Sequence, residues 1–312
     1  QIVILSTLFI VSNGIINGME CKWNEHPYLV KVLSRDSVDS SPLLCSGSLI
    51  SPRLIITASD CVVDSGKRLS EILISIPRVG KVPMRKRATI IDTNGTIAYL
   101  RLTHPINVVD LCPSGVSSRR LSHLSIVPSL TSSSIKSFEW DKIDSTTCRF
   151  IGFKSTQNVS DFLSNNEVQT ASLKVEVNED SLIGRRESTN LPSPCYEDAG
   201  APFECLVGEE YIQIGIFTYL LTAEESNRDK RDNEKSSNTT TEITINNSTT
   251  ETPVTGSTIV IPKEAKDSFS RCLTASSLQF ARFDFTSIAS IIETYDFSSF
   301  IKTREMCHYP TN

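Results

Sequence analysis

LCSGSLISPRLIITASDC, residues 44–61, holds two short apolar runs, Leu49-Ile50 and Leu54-Ile55-Ile56, on either side of Ser51-Pro52-Arg53. Proline fixes its own φ and lacks a backbone donor, so the triplet reads as a turn between strands rather than the middle of a helix. The stretch closes on Ser59-Asp60-Cys61. Why an acid stands at position 60 is the question on which the functional reading turns.

The same rhythm continues outward. Aliphatic and β-branched residues are plentiful, and turn residues divide them into short runs, which predicts many strands and few long helices. At 312 residues the chain is long enough for one large or two small domains with a sizeable core. A formal charge of −5 argues against non-specific nucleic-acid binding, which needs a basic surface. Residues 1–14, QIVILSTLFIVSNG, are uncharged, and Ile2 to Val11 form an apolar run. That run is too short for a bilayer but fits the apolar region of a signal peptide, with Ser12 and Gly14 as the small residues before a cut that exposes Ile15. The sequence starts at Gln1, so the charged n-region of such a peptide is expected to lie outside it. Nine cysteines and five Asn-X-Ser/Thr sequons, at Asn94, Asn158, Asn238, Asn246 and Asn247, agree with secretion through an oxidising compartment.

Several landmarks then fall in one order. Ile15-Ile16-Asn17-Gly18 and His26-Pro27-Tyr28 precede Cys45-Ser46-Gly47-Ser48-Leu49-Ile50-Ser51 and Thr57-Ala58-Ser59-Asp60-Cys61. TIAYLRLTHPI follows from Thr96, CRFIGF from Cys148, CYEDAGAP from Cys195, the Gly215–Tyr219 segment GIFTY, and LQFARF from Leu278. In sum this resembles the trypsin-like serine protease family across 15–301, apart from one insertion at 222–271 and an extension at 302–312. The resemblance implies an all-β fold of two packed antiparallel six-stranded barrels. A C-terminal helix is expected where Ile288, Ile291, Ile292 and Tyr295 recur at helical spacing. It also implies the disulfides Cys45–Cys61, Cys148–Cys205 and Cys195–Cys272, with Cys112–Cys307 a further candidate and Cys21 left odd.

A serine protease needs a hydroxyl nucleophile, a base, an orienting acid and an oxyanion hole. By resemblance, the nucleophile position is Ala199, the base position Asp60 and the orienting-acid position Thr96, so all three roles are vacated. Glu197 replaces the glycine of the oxyanion loop, where its carboxylate would repel a developing oxyanion and its side chain resists positive φ. The cleft positions are Ser193 at the pocket floor, Thr218 and Tyr219, and the leucines Leu220 and Leu278, which should narrow or close the pocket. Ile15 and Asp198 occupy the places of the family's activation ion pair. The four histidines (His26, His104, His123, His308) lie outside these motifs and lack metal-ligand spacing. With no phosphate loop or dinucleotide fingerprint either, no metal and no cofactor are expected.

The insertion AEESNRDKRDNEKSSNTTTEITINNSTTETPVTGST is rich in Ser, Thr, Asn and charge, so it is expected to be disordered and glycosylated. Arg228-Asp229-Lys230-Arg231 in it resembles a furin-type site cut after Arg231. Arg78, Lys81, Arg85, Lys86 and Arg87 form a cationic run. It is either a solvated hairpin or an exosite for an acidic partner. The reading that results is a secreted, inactive protease homologue that binds protein partners, as a decoy or modulator of a proteolytic or immune cascade, with no nucleic acid and no membrane. A hydrolase using other residues, and a structural or storage glycoprotein, are the alternatives.

Overall fold

In the computed structural model the described residues are 15, 17–21, 25–37, 40–77, 82–106, 140, 143–154, 163–164, 166–179, 181–186, 192–221, 272 and 275–306. Within them the chain forms β1 (Met19–Cys21), β2 (Leu29–Arg35), β3 (Leu43–Leu49), β4 (Leu54–Ala58), β5 (Val63–Asp64), β6 (Lys67–Arg68), β7 (Glu71–Ile76), β8 (Met84–Asn94) and β9 (Ile97–Leu102). Then come β10 (Cys148–Phe153), β11 (Val168–Leu173), β12 (Val175–Val177), β13 (Ser181–Arg185), β14 (Pro202–Val207), β15 (Glu210–Leu221), β16 (Ser277–Arg282) and the helix α1 (Phe285–Met306).

Strands β2-β3-β4-β9-β8-β7 close into an antiparallel barrel. The turn at 51–53 joins β3 to β4: Ser51 Oγ accepts from the backbone N–H groups of Arg53 (3.1 Å) and Leu54 (2.9 Å), satisfying donors that a tight turn leaves free. Strand β4 is buried along its whole length because its neighbours cover both faces. The second sheet runs β1-β11-β10-β14-β15-β16-β13-β12. The expected pair of packed β-barrels is present, the first closed with six strands and the second an open, eight-stranded half-barrel sheet. The physical reason is local. Only Lys174 separates β11 from β12, so the same run of chain supplies the second strand at one end of the sheet and the last at the other. It curls the sheet round without a ladder between those two strands, and β1 adds to the free edge of β11. Register shifts at Phe203/Glu204 and Phe217/Tyr219 add to the bend.

One continuous apolar core joins the two halves, with Val30, Ile56 and Leu100 of the barrel in the same cluster as Phe150, Phe203 and Phe280 of the sheet. Phe280 stacks on Phe203 at 4.1 Å and meets Phe217 edge-on at 5.7 Å. Each fully buried ring contributes roughly 1.5–3 kcal/mol. Helix α1 starts at an Asp284 cap, whose carboxylate accepts from the Thr286 N–H at 3.0 Å and the Ser287 hydroxyl at 2.6 Å. It buries Ile288 and Ile292 and kinks at Asp296. There the buried Asp296 carboxylate accepts from Ser51 Oγ, which ties the helix to the β3–β4 turn. The helix continues through 301 to Met306, so the boundary expected at 301 falls inside an element.

Three of the implied disulfides are formed: Cys45–Cys61, Cys148–Cys205 and Cys195–Cys272. Each adds about 2–4 kcal/mol by restricting the unfolded chain. Cys21 is a free, half-buried thiol whose pKa is pushed up to about 11, first by burial and then by the Glu25 charge. Cys112 and Cys307 lie outside the described residues. So do residues 1–14, the segment 222–271, Arg78, Lys81, Arg231 and the sequons at Asn158, Asn238, Asn246 and Asn247.

Candidate functional site

Strand β4 delivers Ala58 in an extended conformation to a short 3₁₀ helix, Ser59–Cys61, and Asp60 points outward from it. The carboxyl is exposed, yet the surrounding chain desolvates it enough to hold its pKa above the usual carboxylate range. Ser59 on the same turn is buried and binds the β8–β9 hairpin twice. Its N–H donates to the Thr96 carbonyl at 2.9 Å, and its hydroxyl to the Gly95 carbonyl at 2.8 Å. Thr96 is therefore brought against the Asp60 turn, at the tip of a two-residue loop closed by the Asn94–Ile97 pair. Gly95 takes φ +57°, which the first position of such a loop requires.

Ala199 reaches the same place from the second sheet. Its carbonyl accepts from the Ser46 N–H at 2.8 Å, and the Ser46 carbonyl accepts from the Thr57 hydroxyl at 2.7 Å. Gly200 beside it has φ +83°, and a Cβ there would stand 2.2 Å from Ser46 O and 2.4 Å from Thr57 Oγ1. The fold thus gathers positions 60, 96 and 199, and presents a carboxylate, an alcohol and a methyl. Ser46 Oγ is buried and donates to the Glu197 carbonyl of this loop at 3.2 Å.

Glu197 belongs to the 3₁₀ helix Tyr196–Asp198, and its φ lies outside the left-handed region, which only Asn17 and Ser65 visit among the described non-glycine residues. Its charge acts on an unexpected neighbour. Lys31, in the middle of β2, is 1% exposed, with Nζ 4.6 Å from the centroid of the Phe153 ring. Burial pulls the Lys31 pKa down to about 7, and the Glu197 charge opposes that shift. A lysine inside the apolar run Leu29–Leu33 was the available sequence signal, and only the fold shows what it meets.

Asp198 is 1% exposed. Its Oδ2 accepts from the Cys195 N–H at 2.9 Å, while desolvation raises its pKa well above the ordinary range, Glu197 adding to the rise. Ile15 is 4% exposed and packs against the same spot. A Cβ on Gly152 would lie 2.2 Å from Asp198 Oδ1 and 3.1 Å from Ile15 Cδ1. A side chain at 152 would displace both, so the sequence-predicted pair Ile15 and Asp198 shares one wall.

At the cleft, Leu220 of β15 stands directly across from Leu278 of β16, both buried. Ser193 is fully buried with its hydroxyl donating to the Pro194 carbonyl, and Thr218 Oγ1 donates to the Gln279 carbonyl at 2.9 Å. Tyr219 is half-buried. Arg186, which the sequence did not single out, lies buried behind these strands and donates through Nη1 to the carbonyls of Cys272 (3.1 Å) and Ala275 (3.0 Å).

Of the cationic run, Arg85 and Arg87 are exposed on β8 and Lys86 is half-buried. Arg87 approaches Glu71 at 4.0 Å, and Glu71 is held more closely by Arg35 at 2.6 Å. Away from the site, His26 Nδ1 contacts Tyr28 Oη at 3.0 Å, Tyr28 donates to the buried Glu204, and Arg149 grips the other Glu204 oxygen at 3.1 and 3.2 Å. Among the described residues no cluster of His, Cys, Asp and Glu has a metal-binding arrangement, and no helix is long and apolar enough to cross a membrane.

The profile of the trypsin family matches residues 15–232, more than two-thirds of the chain. A curated relative, tryptase from Mus musculus, is 26% identical over 108 residues, which cover 31% of this chain and 39% of the tryptase. The chain thus aligns with well under two-thirds of that relative's length. A solved structure of HL collagenase superposes with a TM-score of 0.50 at 14% identity, covering 90% of this chain and 98% of the collagenase, a likeness of fold alone. With the gathered positions 60, 96 and 199 and the three disulfides, these matches place the protein: it belongs to the trypsin family of serine proteases.

Proposed function

We propose that this protein is a non-catalytic member of its family, secreted and glycosylated, that acts by binding protein partners as a decoy or modulator of a proteolytic cascade. The observation that carries the reading is Ala199. A methyl group stands at the nucleophile position, held there by Ser46 and by the close approach of Gly200 to Thr57, and a methyl has no lone pair with which to attack a carbonyl. Asp60 and Thr96 supply no imidazole to accept a proton. Glu197 adds a negative charge where charge would have to be stabilised. The leucine pair, Leu220 and Leu278, supports a cleft without the usual side-chain pocket. The disulfides support an oxidising compartment.

A fluorophosphonate probe and a panel of peptide esters test this directly. Mass spectrometry should find no phosphonate adduct, and turnover should fall on the order of 10⁶-fold below an intact triad. An adduct accompanied by turnover would overturn the reading in favour of a hydrolase built on other residues.

The partner is expected to be acidic where it meets Arg85 and Arg87 on β8, because exposed like charges steer association and lose that effect in salt. Affinity capture from plasma and from the source organism's fluids would compare the secreted chain with one lacking 223–270 and with an Arg85→Ala/Arg87→Ala variant. A saturable partner weakened by either change supports the binding role. Absence of any partner would favour a structural or storage glycoprotein.

A further inference from the structure

Asn94, Gly95 and Thr96 are both the tip of the β8–β9 hairpin and an Asn-X-Thr sequon. Asn94 ends β8 exposed, and Gly95 and Thr96 are exposed after it. Thr96 is also the residue that the Ser59 N–H holds against the Asp60 turn. One residue position therefore serves two incompatible chemistries. An orienting acid needs a carboxylate at 96, whereas an N-glycosylation acceptor needs a hydroxyl there.

We propose that Asn94 carries an N-linked glycan and that Thr96, the residue which displaced the acid, is the hydroxyl its attachment requires. This rests on the reading of positions 60, 96 and 199 as a vacated catalytic site. The glycan then rises from the rim beside Asp60, so losing the triad acid and acquiring a bulky polar cover are a single change. The donor is a lipid-pyrophosphate-linked oligosaccharide of the secretory pathway. The Asn94 amide nitrogen bonds to the anomeric carbon as the carbon–oxygen bond to pyrophosphate breaks. The lipid pyrophosphate leaves with that electron pair, the amide gives up one proton to base, and nothing is oxidised or reduced. Transfer precedes folding, and the folded hairpin tolerates the product because the Asn94 side chain faces solvent and Gly95, not Asn94, takes the positive φ.

The test is secretion of the full chain from eukaryotic cells, followed by peptide:N-glycosidase digestion in ¹⁸O-water and peptide mass spectrometry. Asn94 should emerge as ¹⁸O-labelled aspartate in the wild type and in Thr96→Ser. It should stay unlabelled in Thr96→Asp, and the secreted Asn94→Gln chain should be lighter by one glycan. A folded, secreted wild type with unmodified Asn94, in molecules whose other sequons are occupied, overturns the proposal. Phosphonate labelling of the same sample separates the two claims. Unmodified Asn94 without an adduct sinks the glycan alone, while an adduct on a chain glycosylated at Asn94 sinks the non-catalytic reading.

Discussion

The imidazole of His26 is buried against Tyr28, and its pKa is pushed down to about 3, first by burial and then by the nearby Arg149 charge. Because the Tyr28 hydroxyl donates to Glu204, the His26 contact is a donation from Nδ1–H. An unfolded chain protonates this ring near the ordinary 6.5, and the folded chain does not. The folded state therefore binds fewer protons in that window, so this contribution to stability is full above about pH 6.5 and is lost as pH falls toward 3. His26→Gln keeps a donor toward Tyr28 and cannot titrate. Its unfolding free energy, read from denaturant titrations, should fall less than that of the wild type on acidification, by about 1 kcal/mol at about pH 5.5; identical pH profiles would show that His26 titrates in the fold as it does unfolded. At this scale the gathering of positions 60, 96 and 199 was legible because each sits inside a motif with fixed spacing. The roles of Lys31, Glu204 and Arg186 were not. A lysine in a strand reads as a solvated face until Phe153 and Glu197, distant in the chain, are brought to it.

Strand β16 illustrates what an element contributes. It lies between β15 and β13, and its Leu278 is fully buried opposite Leu220 on one side and Gly184 on the other. Truncation to alanine leaves a cavity that neighbouring strands, fixed by ladders on both edges, cannot close. Leu278→Ala should cost about 2–5 kcal/mol, seen as a lower urea midpoint with an unchanged slope. A change of less than 1 kcal/mol, roughly the level tolerated when a site repacks, would mean that the leucine fills space the sheet can recover. The strands themselves were readable from short apolar runs, and α1 from its four-residue stripe. The open end of the second sheet was not, because it depends on a single residue, Lys174, interrupting what otherwise reads as one strand.

Among the described residues one large apolar cluster joins the barrel to the second sheet, and Asp198 shares a wall with Ile15 at that junction. In a chain that extends before Ile15, Asp198 is a buried acid with a raised pKa. Such an acid costs stability as pH rises above its unfolded value, since the folded state holds the proton longer. In a chain beginning at Ile15, the α-ammonium of that residue would stand on the same wall and offset the cost. Asp198→Asn should accordingly raise the Tm of the longer chain at neutral pH, and lower the stability of the chain starting at Ile15 by about 3–5 kcal/mol. The same sign in both chains would remove Ile15 as the partner of Asp198. Substitution tolerance is distributed unevenly around this centre. Asp60 and Thr96 face solvent, whereas Ser59, Cys61 and Gly200 beside them are buried, bonded or sterically confined. At position 60 the side chain is open to substitution, while the buried residues around it are not. On the non-catalytic reading proposed above, a lineage loses the reaction by changes at a few positions while its architecture continues to record where the reaction used to be.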